Sequence, residues 1–374
     1  MEKLDLLIVN GWVLDAYNGL DGAYAVGISE GRIAGLYPSQ GILPKAEAYL
    51  DAQGRSISPG WIDLHTHTAE QRAKIGIAAD TIGISQGVTT VVDAGSCGSA
   101  TFADFEEYSI KKSKTRVLSW LNISSAGLYE DTAELADLAK IHGEETKALI
   151  RQKSCIRGIK VRMSRSVVRE TNTEGLQIAK KIARETNVPL FVHIGNLPPD
   201  LAEVLNLLDA GDIVTHVLHG KAGGCLTPEE KMLPELLAAS RRGVYFDLGH
   251  GSESFSFLRF KIARENGFLL DSISTDLYSR NYEYPVRSLA CTMEKCLALG
   301  MSLREVLASV TLKPALMLRL PLLGRLQIGA VADLTIFQLL PEIETYYDAE
   351  GASVQGKQKF KICEVIRNGQ VMGQ

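Results

Sequence analysis

Apolar residues along this chain change rhythm twice. Over the first fifty or so residues they come in short runs cut by turn formers. Leu6-Leu7-Ile8-Val9 precedes Asn10-Gly11, and Ala25-Val26-Gly27-Ile28 leads through Ser29-Glu30-Gly31 to Arg32-Ile33-Ala34. Asn-Gly is a strong hairpin signal, so this part reads as strands and tight turns. From Ile57 onward, short β-rich runs alternate with helix-length amphipathic segments. The strand-like runs are 61–67, 88–94, 116–123, 156–163, 189–195, 212–219, 244–249 and 272–277. Thr171 to Thr186 sets Leu176, Ile178, Ala179, Ile182 and Ala183 inward at helical spacing. Thr227-Pro228-Glu229-Glu230 and Ser302-x-x-Glu305 read as capped helix starts. After Arg325 the strand texture returns in Gly329 to Phe337 and in Ile362 to Val371, the second a hairpin on Asn368-Gly369.

Regular strand–helix alternation argues for parallel strands with crossover helices. Eight such units over about 250 residues fit an α/β fold of the (β/α)8 TIM-barrel type. An open doubly wound sheet is the alternative. The expected organisation is a barrel over 58–324 and one small β-sandwich domain built from both ends, 1–57 and 325–374.

Composition narrows the classes. The 374 residues are 45% hydrophobic and 22% charged, ordinary for a globular protein and wrong for a disordered chain, a fibre or a disulfide scaffold. Net charge is −4, so no basic excess points to nucleic acid or an anionic membrane. Cys97, Cys155, Cys225, Cys291, Cys296 and Cys363 form no C-x-x-C pair. Scattered cysteines imply reduced thiols and a cytoplasmic location. The first apolar run is too short for a signal-peptide core. No stretch approaches the ~20 apolar residues of a membrane span.

The candidate chemistry begins at Asp63-Leu64-His65-Thr66-His67, where alternation along a strand puts His65 and His67 on one side. Alone this is a weak metal signal. His193, His216 and Asp276 strengthen it, because they fall late in the fifth, sixth and eighth strand runs. Barrel enzymes carry their catalytic groups at C-terminal strand ends, so the five side chains converge on one spot. Lys160 lies inside the fourth run, where a buried lysine is costly unless paired or neutral. A neutral amine can take up carbon dioxide as a carbamate, an anionic ligand able to bridge two cations. The bland alternative is a lysine that holds a substrate anion.

With these residues in view, the chain resembles the amidohydrolase superfamily, in its binuclear branch with a carboxylated lysine. The resemblance spans nearly the whole chain. Ser58-Pro59-Gly60-Trp61-Ile62-Asp63-Leu64-His65-Thr66-His67 is similar to the family's opening motif, and Leu323 through Leu334 to the motif leading into the β domain. Gly158-Ile159-Lys160-Val161-Arg162 and Thr215-His216-Val217-Leu218-His219-Gly220-Lys221 look most like a dihydroorotase-like subgroup associated with deacetylation of acetylated α-hydroxy or α-amino acids.

The resemblance implies two Zn2+ ions. His65, His67 and Asp276 hold the more buried one, His193 and His216 the more exposed one, and carboxylated Lys160 bridges both. It implies a shared hydroxide that attacks the carbonyl, with Asp276 carrying the proton to the leaving group. It also implies pairing into a homo-oligomer. A carboxylate-bearing small-molecule substrate then needs contacts, and His219, His250, Arg162, Arg165, Tyr278, Arg280 and Tyr284 all lie at or beyond the ends of strand runs. His142 reads as peripheral, and Gly223-Gly224-Cys225 as a loop over the site. Three rivals remain: a cyclic amidase of the dihydroorotase or hydantoinase type, a mononuclear deaminase-like hydrolase, and a non-catalytic metal-binding barrel.

Overall fold

A computed structural model describes residues 4–373. Its strands are β1 (Leu4–Asp15), β2 (Leu20–Ser29), β3 (Arg32–Pro38), β4 (Ala46–Asp51), β5 (Ser56–Pro59), β6 (Trp61–Thr66), β7 (Val88–Ala94), β8 (Arg116–Asn122), β9 (Ile156–Met163), β10 (Leu190–Ile194), β11 (Ile213–Thr215), β12 (Tyr245–Asp247), β13 (Leu334–Tyr347), β14 (Ser353–Arg367) and β15 (Gln370–Met372).

Strands β6 to β12 form a parallel sheet in sequential order. Its core strands are buried along their whole length, as sheets covered on both faces must be. The eighth segment closes the barrel without a continuous ladder. Leu248 and His250 donate to Ser272 and Ser274 carbonyls, while Asp276 and His67 exchange bonds with Leu277 and His65 across the seam (Asp276 N to His65 O 2.7 Å, His67 N to Leu277 O 2.9 Å). The fold is thus a TIM barrel, and the remaining strands make a small β-sandwich from both ends of the chain. Its sheet runs β15-β14-β13-β5-β1-β2-β3, with β4 also on β1. Ile8, Val13, Val26, Ile33 and Ile57 share its core with Leu326, Leu334, Ile336 and Ile366.

Four expectations change in detail. Asn10-Gly11 is not a hairpin turn. β1 runs through it with a bulge, Asn10 taking φ 55° while a Cβ on Gly11 would strike Ile57. The hairpins come instead at Glu30-Gly31 and Asn368-Gly369, where both residues have positive φ. Thr227-Pro228-Glu229-Glu230 does not start a helix. It is a tight turn with Thr227 N bonded to Lys231 O at 2.8 Å and Glu230 at φ 57°, and the helix begins at Pro234. The Ser302 capping box is present as read. The 171–186 helix starts later, at Glu174, and adds the aliphatic stem of Lys180 to its buried face. Finally, the 212–219 and 244–249 runs shorten to 213–215 and 245–247.

β13 and β14 form a long hairpin arm that reaches beyond the sandwich and packs on helix Leu289–Ala298. That helix lies between barrel and arm and is buried on nearly every side. Trp61 anchors the same junction. Its indole donates to Ser58 Oγ at 3.0 Å and its rings meet Phe337 and Phe360 at 5.6 and 5.4 Å.

Glu294 sits in this junction, accepting from Phe360 N at 2.7 Å and Tyr346 Oη at 2.9 Å. Burial pushes its carboxyl up to about 7. The folded state therefore holds that proton more tightly than the unfolded chain does. The stabilisation is complete below the unfolded value and is lost as pH rises through about 7. Glu294→Gln should remove on the order of 3 kcal/mol of the stability lost between pH 4 and 8. Urea titrations at both pH values check this; parallel pH dependences in mutant and wild type would refute it.

Candidate metal centre

The inward positions at the C-terminal strand ends converge as the sequence predicts. His65 Nε2 and His67 Nε2 lie 3.3 and 3.2 Å from Asp276 Oδ1, and His216 Nε2 lies 3.8 Å from Oδ2. The donor atoms of His65, His216 and Asp276 all fall within 4.8 Å of one another. The His193 ring is 4.4 Å from that of His216. Lys160 Nζ is 3.2 Å from His65 Nε2 and 4.6 Å from the centre of the Phe191 ring.

Neighbours fix which face each imidazole presents. Thr215 Oγ1 gives its one proton to Asp247 at 2.7 Å, so it must accept from His65 Nδ1 at 3.0 Å. His216 Nδ1 donates to Gly249 O at 2.7 Å. Both rings therefore carry their proton on Nδ1 and turn a lone pair on Nε2 toward Asp276. His67 has its Nδ1 against Ser96 Oγ at 3.0 Å and its Nε2 on the same carboxylate. His216 Nε2 is buried with no hydrogen-bond partner among the described residues. A buried acceptor without a donor, beside two more imidazole nitrogens and a carboxylate, is a donor set that fits a divalent cation, and zinc accepts this N/O mixture.

Electrostatics agree. Burial drives His65 and His193 well below the ordinary imidazole range, with the neighbouring Lys160 adding to the effect at His65 and His216 at His193. Burial takes His216 down to about 3. Neutral imidazoles are the metal-binding form. Burial also lowers Lys160 to about 7, so a substantial fraction of its amine is unprotonated at neutral pH. Asp276 is pushed up by burial, but the His67 hydrogen bond and the electrostatic influence of His216, His67 and Lys160 outweigh this and hold it below the ordinary carboxylate value.

The backbone is strained here. His216 has φ 70° and Asp276 φ 51°, which is why neither continues a strand. Gly249 and Gly251, both at φ 53°, flank them. A Cβ on Gly249 would strike Thr215, and one on Gly251 would lie 2.7 Å from Asp276 Oδ2. Gly95, at φ 84°, leaves the space through which Lys160 passes; an added Cβ would sit 2.7 Å from Lys160 Cγ. Gly95→Ala should cost about 2–5 kcal/mol of stability, combining left-handed strain with overpacking. Denaturant unfolding measures it, and wild-type stability would mean Lys160 does not take this path.

The expected substrate contacts divide. Tyr278 lies at the site, its ring 6.4 Å from His67 and its hydroxyl 2.6 Å from Ser252 Oγ. His219 is buried, and neither ring nitrogen has a partner among the described residues. Gly224 covers it, and a cleft of about 540 Å3 lined by Leu197, Lys221, Gly223 and Arg259 opens along that loop. Arg165, Arg280 and Tyr284 are exposed. Arg162 is committed elsewhere, to Glu134 at 3.0 Å and Thr132 O at 3.1 Å. His250 is also committed, its Nδ1 to Gly251 O at 2.8 Å and its Nε2 to Lys295 Nζ at 2.7 Å. His142 is peripheral, bonded to Glu145. Sequence reasoning missed Thr215, Asp247, Ser96 and Lys295. A polar residue ending a buried apolar run, as Asp247 does after Tyr245-Phe246, was the available signal.

The chain belongs to the amidohydrolase family, whose sequence profile matches residues 56–372. It is a hydrolase of that family. It is 38% identical over 371 residues to an Enterococcus faecalis protein named deacetylase, covering 98% of each chain. A Brucella anthropi protein of the same name is 40% identical over 294 residues, 78% of this chain and 73% of that one. Among solved structures, one described as an adenine deaminase superposes with TM-score 0.94 at 37% identity, covering 100% of both chains. Another, described as a dihydroorotase, gives 0.89 at 33% identity and covers 98% and 99%.

Proposed function

We propose that this hydrolase is a zinc-dependent deacetylase of small acetylated α-hydroxy or α-amino acids. The observation that carries the reading is the full-length similarity to the E. faecalis protein named deacetylase, on a chain that keeps every expected metal-binding side chain. His65, His67 and Asp276 would hold one ion, His193 and His216 the other. Lys160, once its neutral amine has added carbon dioxide and released a proton, would supply a carboxylate to both. Bound zinc supplies hydroxide at neutral pH and polarises the scissile carbonyl.

The chain's own groups do the rest. Asp276 turns Oδ1 to His65 and His67 and keeps Oδ2 beside Gly251, so its carboxylate would accept the proton of the attacking oxygen and return it to the leaving amine or alkoxide. Thr215 and Gly249 keep His65 and His216 in the metal-binding tautomer. The exposed cations Arg165 and Arg280, and His219, whose ring nitrogens have no partner among the described residues, are the candidates to meet the substrate carboxylate.

The test is a hydrolysis screen of the zinc-loaded protein against acetylated α-hydroxy and α-amino acids of both hands, with dihydroorotate, a hydantoin and adenine alongside. Acetate release with a preference for one hand is the expected result. Ring opening alone would favour the cyclic-amidase reading, to which the dihydroorotase-described structure lends support. Ammonia from adenine would favour a deaminase, and no turnover of any of these would reject the substrate class.

A further inference from the structure

Beneath the metal centre lies a buried cation that the chemistry above does not use. Lys295, on helix Leu289–Ala298, is 2% exposed. Its ammonium has three protons and three acceptors: His250 Nε2 at 2.7 Å, Pro285 O at 2.8 Å and Tyr347 O at 2.9 Å. Tyr347 ends β13, at the tip of the arm that the sandwich sends along the barrel. The same tip docks on the loop after β12. Asp348 accepts from Phe257 N at 2.8 Å, Ala349 N donates to Phe255 O at 2.9 Å, and Glu350 takes the Ser256 hydroxyl.

That loop begins with Gly249-His250-Gly251. His250 accepts from Lys295 on Nε2, so its Nδ1 proton goes to Gly251 O. Gly249 O in turn orients His216, and Gly251 lies against Asp276 Oδ2. An unbroken series of contacts thus links arm tip, Lys295, His250 and the two glycines to two of the proposed metal ligands.

We propose that Lys295 and His250, with the docked arm tip, are positioning residues that hold the Gly249–Gly251 backbone where His216 and Asp276 can each take their place in the metal centre. The inference rests on the metal-hydrolase reading above. It assigns His250 to the scaffold and not to substrate.

The test measures zinc affinity by chelator competition, together with kcat and KM for the best substrate, in wild type, Lys295→Met, Lys295→Arg and Asp348→Ala. Lys295→Met should weaken zinc binding or lower kcat by about ten- to a hundredfold with little change in KM, the range for removing a group that orients a ligand. Lys295→Arg should restore part of the loss. Asp348→Ala, which loosens the tip without removing any of the lysine's three acceptors, should shift both quantities the same way. A folded Lys295→Met protein with wild-type zinc affinity and kcat overturns the proposal. If that variant fails to fold, wild-type values for Asp348→Ala overturn it. Absence of zinc binding by the wild type would instead reject the metal-hydrolase reading.

Discussion

Asp276→Asn is expected to lower kcat by roughly 10²–10⁴-fold, the range for loss of a positioned general acid–base. The substitution keeps size and one metal-binding oxygen. His65, His67 and His216 all converge on this carboxylate, so the imidazole cluster should survive. The amide nitrogen cannot take a proton at neutral pH, and the step between attacking oxygen and leaving group loses its carrier. Metal content by elemental analysis should therefore change far less than turnover. Turnover within a few-fold of wild type would mean that another group carries the proton. Loss of zinc in parallel with activity would assign Asp276 a ligand role only.

The second large effect is at Lys160. Lys160→Met should reduce bound zinc from two ions to one or fewer, and lower kcat by at least about 10²-fold, since the charge stabilisation supplied by a bound cation is worth several kcal/mol. Stability should move the other way or not at all. The lysine stem lies between Gly95 and the Phe191 ring, an apolar slot in which burial already lowers the amine to about 7. A methionine of similar length fits that slot without the cost of desolvating a charge. The metal-free mutant should thus melt at or above the metal-free wild type, while the zinc-loaded mutant is nearly inactive. Wild type prepared without carbon dioxide should show the same zinc deficit, and added bicarbonate should restore it. A deficit that bicarbonate leaves untouched would argue for an unmodified amine at this position.

Much of this was legible because barrel strands advertise themselves twice, by buried β-rich runs and by polar residues at their C-terminal ends. His65, His67, His193, His216, Asp276 and Lys160 were all readable that way, and the structure brings them together. What the sequence hid depends on tertiary partners. Arg162 looks like a free carboxylate receptor until Glu134, 28 residues earlier, takes it. His250 follows the seventh strand run as a substrate contact would, yet Lys295, 45 residues on, claims its ring. Asn10-Gly11 carries a hairpin signal, but pairing of β1 with β2 on both sides of it turns it into a bulge. Local pattern reports which residues can do chemistry; only packing decides which of them are already occupied.

The pairing of β5 with β13 bears on how the protein is made. Pro59 faces Leu334 and Ile57 faces Ile336, across a ladder whose two strands are separated by the entire barrel. A ribosome delivers β1 to β5 first, and that segment must wait for the barrel to be synthesised before its neighbour arrives. Until then the β5 edge, with Ile57 and the surrounding apolar core residues, is an open template for strand addition by other chains. Sheet completion is a late, high-contact-order event. Chaperone engagement and aggregation during expression should therefore respond most to changes in these first strands, even though they lie far from the chemistry.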